Sequence, residues 1–220
     1  MTEIVIPQSV TSIDASAFRG CTNIVKITVK EGNTVYHSDN NCLIETESRT
    51  LILGCQNSSI PNDGSVTSIG RYAFNGCIGL TSVEIPDCVT NIGYAAFRGC
   101  TGLTTLVIPN SVITIEDYAF AECSEISSLT MGNNVEKIGS YAFSDCTALT
   151  GVTIPASVTT IDSYAFYRST KITYVNFEVT SGWMLGSAKF EDLGSNLGST
   201  SSAAYYLVNY YTHMRWTRTS

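Results

Sequence analysis

Leu80-Thr-Ser-Val-Glu-Ile-Pro-Asp-Cys-Val-Thr-Asn-Ile-Gly-Tyr-Ala-Ala-Phe-Arg-Gly-Cys100 is one unit of a repeat. Its apolar slots are Leu80, Val83, Ile85, Val89, Ile92, Ala96, Phe97 and Cys100. The following residues refill the same slots with Leu103, Leu106, Ile108, Val112, Ile115, Ala119, Phe120 and Cys123. Working outward, Phe74, Phe97, Phe120, Phe143 and Phe166 lie 23 residues apart, each directly after an alanine. Three residues after each Phe comes Cys77, Cys100, Cys123 or Cys146, and then Ser169. A period of this length predicts stacked coils rather than a globule around one central core. Phe18 belongs to an earlier copy. It stands 56 residues before Phe74, so one coil between them is replaced by something longer.

Each slot has a physical role. Val83-x-Ile85 and its copies alternate apolar and polar, as a half-buried strand does. Stacking would pair these strands into a parallel sheet, with proline ending them at Pro7, Pro86, Pro109 and Pro155. The Val-Thr-x-Ile stretches (66–69, 89–92, 158–161) are β-branched and predict a second, shorter ladder. The Tyr/Ala-Ala-Phe-x-x-Cys stretch is too short for an independent helix. It is expected to form one helical or 3₁₀ turn that drops the Phe into the core.

The run Leu-Thr-x-Val-x-Ile-Pro-x-x-Val-Thr-x-Ile-x-x-Tyr-Ala-Phe-x-x-Cys resembles the BspA-like class of bacterial leucine-rich repeats over about residues 3–177. The resemblance implies an α/β repeat fold: a leucine-rich-repeat solenoid, 1–177, with a parallel β-sheet on its concave face and short helical or 3₁₀ turns. Residues 36–60 resemble an insertion variant of such proteins and are expected to form a β-hairpin. The segment 178–220 breaks the period and resembles a C-terminal cap, with helical spacing over about 202–214. The resemblance also implies a surface-exposed or secreted protein of a host-associated bacterium, linked to adhesion to matrix proteins, cells or glycans. It implies no enzymatic activity.

Composition agrees with a binding solenoid. The 220 residues are 44% hydrophobic and only 14% charged, with net charge −7. Nucleic-acid binding asks for clustered basic residues, and the twelve here are scattered. No apolar run approaches the roughly 20 residues that span a bilayer. The chain enters strand-like sequence at Glu3–Pro7 with no leader, so a longer protein with an upstream secretion signal is expected. No H-E-x-x-H, G-x-S-x-G or phosphate-loop motif occurs, and the acid pairs Glu116-Asp117 and Glu191-Asp192 fit solvated turns better than a cleft. No catalytic, cofactor-binding or metal-ligating residue is assigned. The repeat-slot cysteines point the same way on successive coils, which suits packing rather than metal binding. Cys42 and Cys55 flank the strands of the expected hairpin, where they could lie opposite each other as a disulfide in an oxidising compartment.

Outward positions of the strands define a candidate ligand face: Ser82, Glu84, Thr105, Val107, Ser128, Thr130, Thr153, Tyr174 and Asn176. The row is rich in hydroxyls and poor in the aromatic and arginine anchors of tight interfaces. It predicts weak, multivalent adhesion to a protein or glycan surface ligand. The hairpin is a second candidate surface. The alternative is a structural spacer whose activity lies upstream.

Overall fold

The computed structural model describes residues 2–186, 188–189, 197–210 and 212–219. Strands β1 (Glu3–Ile6) and β2 (Lys26–Val29) open the chain as a parallel pair. The insertion forms an antiparallel meander of β3 (Tyr36–Asp39), β4 (Cys42–Glu45) and β5 (Thr50–Leu53). Two ladders then interleave along the repeats. One contains β6 (Ser68–Ile69), β7 (Asn91–Ile92), β9 (Thr114–Ile115), β11 (Lys137–Ile138) and β13 (Thr160–Ile161). The other contains β8 (Thr105–Val107), β10 (Ser128–Thr130), β12 (Gly151–Ile154) and β14 (Tyr174–Phe177).

The Val-Thr-x-Ile strands are the shorter ones, as expected, at two residues each, yet their ladder is the more continuous. The Val-Thr-x-Ile strands join β5 to β13 without interruption, inside a sheet of eleven strands. The Val-x-Ile strands form separate parallel pairs, β8 with β10 and β12 with β14, and Val83–Ile85 carries no strand. One repeat upstream of Val83 stand Ile60 and Pro61, and proline brings no ladder donor.

The core is a stack of identical side chains. Phe74, Phe97, Phe120, Phe143 and Phe166 are all buried. Their ring centroids are 4.9, 5.1, 5.4 and 5.3 Å apart, close to the strand-to-strand spacing of roughly 4.8 Å. The preceding alanines are buried too, as their missing bulk allows. Cys100, Cys123 and Cys146 donate their thiols to the carbonyls of Phe74, Phe97 and Phe120 at 3.1, 3.1 and 3.3 Å. Ser169 makes the same bond to Phe143 at 2.7 Å, which accounts for serine in a cysteine slot.

No helix forms at the Tyr-Ala-Phe stretch. Cys77 and Asn75 donate to carbonyls three residues back, in the 3₁₀ pattern. The alternate donors reach the next coil instead: the Phe74 N–H bonds to the Ala96 carbonyl at 2.7 Å, and Phe97, Phe120 and Phe143 repeat this. Left-handed backbone at Tyr72, Ala95, Tyr118, Tyr141 and Tyr164 (φ 51 to 64°) turns these donors along the stack. Such a conformation costs a non-glycine residue about 1 kcal/mol, offset here by the bonds between coils.

The meander is a wall across the solenoid. Leu43, Leu53 and Cys55 face the N-terminal cluster with Ile4, Ile6, Ile24 and Ile27. Cys42, Ile44 and Leu51 face the main core. Cys42 and Cys55, the possible disulfide, stand here as two buried free thiols that belong to different clusters. A register shift between Leu43 and Ile44 breaks the simple hairpin alternation on which the pairing rested.

The cap differs from a single helix over 202–214. Helix α1 (Thr200–Tyr205) runs into a π turn, Tyr206–Tyr210. Beyond it, β17 (Trp216–Arg218) pairs antiparallel with β13 and with β15 (Trp183–Leu185), which pairs with β16 (Ala188–Lys189). Ala203, Ala204, Leu207 and Val208 are buried in the same core as Trp183, Trp216 and the last coils.

Candidate functional site

The expected ligand face exists as an exposed row. Ser82, Glu84, Thr105, Val107, Ser128, Thr130, Thr153, Tyr174 and Asn176 all point to solvent. Parallel register sets Ser128 beside Thr105, Thr130 beside Val107, and Asn176 beside Thr153. Their neighbours Leu106, Val152 and Val175 are buried, so the alternation read from sequence holds here. Gly151 is the exception in the outward row. The Tyr174 ring lies over it, and a Cβ there would come within 2.0 Å of the ring.

The structure concentrates part of this row into a groove of about 570 Å³ where the Val-x-Ile ladder is interrupted. Glu84, Val107 and Thr130 line it, together with Asp87, Asn110 and Asn133. Sequence analysis missed the last three, which follow the strands as turn residues. Their signal was the polar residue at equivalent positions after the strand in three successive repeats. The Asn133 N–H donates to Asn110 Oδ1 at 2.8 Å, fixing one amide along the groove. Gly132 allows the coils to approach: a Cβ would stand 2.3 Å from the Pro109 carbonyl oxygen. Two carboxylates and two amides over the buried side chains of Ile85, Ile108 and Met131 suit a ligand that offers hydroxyls or amides beside an apolar face. Ser82, Thr105, Ser128, Thr153, Tyr174 and Asn176 do not line this groove.

Other polar residues have structural work. Glu116 accepts from the Tyr94 N–H at 2.9 Å and from Asn91 Nδ2 at 3.0 Å. Asp117 accepts from the Ser140 N–H at 2.8 Å. This acid pair ties neighbouring coils together. Burial pushes the thiols of Cys42, Cys77 and Cys123 up to about 12, and those of Cys100 and Cys146 well above the ordinary value of 9.0. They are protonated packing groups, not nucleophiles. Among the described residues, no three His, Cys, Asp or Glu side chains are placed to share a metal ion. No described helix is long and apolar enough to cross a membrane.

The profile of the BspA type leucine-rich repeat region matches six copies over residues 1–64 and 67–192. The chain belongs to the BspA-type leucine-rich repeat family. No curated protein sequence matches it. Among solved structures, a leucine-rich repeat protein of Bacteroides ovatus is 26% identical with a TM-score of 0.58, over 80% of this chain and 45% of that one. The pneumococcal vaccine antigen PcpA is 18% identical with a TM-score of 0.58, over 83% and 40%. A leucine-rich cell surface protein of Faecalibacterium prausnitzii is 23% identical with a TM-score of 0.53, over 82% and 49%. The latter two support the fold alone. The chain spans less than half of each of these three proteins.

A second surface of this BspA-type solenoid was not anticipated. Tyr72, Tyr94, Tyr118, Tyr141 and Tyr164 form a half-buried stripe along the turn arc, with centroids 5.4, 5.5, 4.9 and 4.8 Å apart. Arg71 lies 4.2 Å over the Tyr94 ring and 5.2 Å over Tyr72, and Arg19 lies 5.3 Å over Tyr72. The signal was present at Tyr72, Tyr118, Tyr141 and Tyr164, which obey the repeat period. Tyr94 sits one residue early and masks it.

Proposed function

We propose that this chain is a non-catalytic binding segment of a secreted or surface-displayed bacterial protein, adhering through its sheet side to a protein or glycan ligand. The observation that carries this is the groove into which Glu84, Val107 and Thr130 converge from three successive coils. A ligand seated in the groove would meet Asp87, Asn110 and Asn133 from successive coils beside an apolar floor, and weak contacts of this kind add when many copies of the chain are displayed together. Thr105, Ser128, Thr153, Tyr174 and Asn176 continue the exposed row beyond the groove. The surface placement draws on the leucine-rich cell surface protein and the vaccine antigen that share the fold. The meander surface, near Glu45 and Glu47, is the second place such a ligand could touch.

The test is a solid-phase screen of the purified chain against matrix proteins, mucins and glycans, repeated with Thr130→Trp/Thr153→Trp, which sets one bulky ring in the groove and one on the row beyond it. Saturable binding lost in that variant supports the sheet face. Binding that survives the variant refutes this face and directs attention to the meander. No saturable binding to any surface ligand refutes the adhesive function and favours a spacer role.

A further inference from the structure

The tyrosine stripe occupies a different arc of the coil from the groove, and the core has no use for it. Phe rings already fill the interior of the same turns. Four of the five positions place the ring on a residue with left-handed backbone, a conformation that gains nothing from tyrosine. Tyr118, Tyr141 and Tyr164 stack, with interplanar angles of 4° and 15°, whereas Tyr72 meets Tyr94 edge-on at 83° and Tyr94 is tilted 57° to Tyr118. The faces of the stacked rings are occupied by neighbouring rungs. What remains there for a ligand is a line of ring edges and phenolic hydroxyls, each able to donate one hydrogen bond; the Tyr72 and Tyr94 hydroxyls bond to each other, and Tyr72 also to Arg71. Tyr167, more exposed, meets Tyr164 edge-on at 5.5 Å and extends the aromatic surface at its C-terminal end.

Spacing selects the ligand. Over Tyr118, Tyr141 and Tyr164, the two rungs of 4.9 and 4.8 Å together come within about 0.5 Å of one turn of polyproline II helix, ~9.3 Å from three residues of 3.1 Å; the wider rungs of 5.4 and 5.5 Å at Tyr72 and Tyr94 leave that step and lie where the acidic end of a ligand would meet the arginines. An extended strand repeats its outward carbonyls about every 6.7 Å and falls out of step at once. Proline offers only carbonyl acceptors, and polyproline II leaves them without internal partners. A line of donors flanked by apolar ring edges complements that backbone. Charge sets the direction. Arg19 and Arg71 gather at the N-terminal end of the stripe, and neither forms a salt bridge among the described residues, although Asp14 and Glu116 lie within electrostatic reach of Arg71, whereas Arg98 is paired with Glu122 at 2.6 Å.

We propose that the Tyr72–Tyr164 stripe binds a proline-rich segment in the polyproline II conformation, with acidic residues at the end that lies over Arg19 and Arg71. This surface is independent of the sheet-side groove.

The chain is titrated by calorimetry with a synthetic peptide of about ten prolines led by two aspartates. A glycine-serine peptide with the same aspartates and a neutral oligosaccharide run alongside. Hydroxyl-radical footprinting of the unaltered chain locates any contact. The expected result is saturable binding of the proline peptide alone, with protection of Tyr118, Tyr141 and Tyr164. Tyr118→Phe/Tyr164→Phe keeps every ring and should weaken binding about tenfold through two lost donors. Arg71→Ser should weaken it further and flatten its salt dependence. Thr130→Trp should leave it unchanged, which separates this surface from the groove. No binding, equal binding of the glycine-serine peptide, preference for the oligosaccharide, or protection away from the tyrosines would each overturn the proposal.

Discussion

Phe120→Ala is the sharpest probe of the stacked core. Phe120 is fully buried, with Phe97 on one side at 5.1 Å and Phe143 on the other at 5.4 Å. Truncation removes the transfer energy of the ring and leaves a cavity, which together cost about 3–5 kcal/mol. The interplanar angles of 2° and 7° show that two stacking contacts go with it. The neighbours cannot collapse into the space, because each is held by backbone bonds between coils, Phe97 N–H to the Ala119 carbonyl at 2.8 Å and Phe143 N–H to the Ala165 carbonyl at 2.7 Å. The upper part of the range is therefore expected, about 4 kcal/mol. For a chain of this size that lowers the melting temperature by about 8–16 °C. In a solenoid each coil contacts only its neighbours, so a defect at the middle should also uncouple the two halves and broaden the transition. Phe18→Ala is the internal comparison. Phe18 is only half-buried, in the smaller N-terminal cluster, and should cost about 1–2 kcal/mol. Urea denaturation followed by circular dichroism measures both. Equal losses for the two variants, or a loss below about 2 kcal/mol at Phe120, would refute the view that stability resides in the ring stack.

Thiol accessibility follows from burial. With a chromogenic disulfide at pH 8, only the half-buried Cys21 and Cys88 should react in the folded chain, and all eight cysteines after unfolding without reductant; six would mean that Cys42 and Cys55 are bridged. The raised thiols also set an alkaline limit. Cys42, Cys77 and Cys123 hold their protons up to about 12 in the fold but only to about 9 when unfolded, so their contribution is complete below pH 9 and drains away between 9 and 12. The urea midpoint should fall from pH 8 to pH 10.5, and fall less steeply in Cys123→Ser, which keeps the bond to Phe97; an identical slope would contradict this linkage. Gly139→Ala would place a Cβ 2.5 Å from the Asp117 backbone nitrogen and should cost about 2–3 kcal/mol. Gly64→Ala meets nothing within 4 Å and should cost about 1 kcal/mol through its positive φ alone; thermal melts of the two variants decide the order.

The core slots were legible because a stacked solenoid repeats its interior constraint. Ala-Phe-x-x-Cys must fit against itself one coil away, so composition at those positions is forced. Which ladder would be continuous was not legible. Val83-x-Ile85 and Val89-Thr-Asn-Ile92 are both β-branched, and the choice depends on how closely neighbouring coils approach at each arc. The bulge at Leu43/Ile44 was equally invisible. A one-residue shift exchanges the faces of every following side chain, which is why Cys42 and Cys55 part company. The cap was read from helical spacing alone, although Trp216 sits in strand β17 with its ring stacked 5.9 Å from Phe177. Tertiary pairing with β13 outweighed the local pattern there.

A solenoid converts each sequence slot into a line on the molecule. Lines in the core are uniform because packing demands it, and their uniformity says nothing about function. Lines on the surface face no such demand. Across the sheet side, Glu84, Val107, Thr130, Thr153 and Asn176 share a position in the row but not a chemistry, so a ligand there must gain from the groove's shape more than from repetition. The tyrosine line is the opposite case. Tyr94 lies one residue out of slot, yet its ring returns to the stack, 5.4 Å from Tyr72 and 5.5 Å from Tyr118. The buried Ala95 takes the left-handed position in its place. An exposed line that keeps its aromatic rung despite that displacement is where repetition itself can be the recognition element.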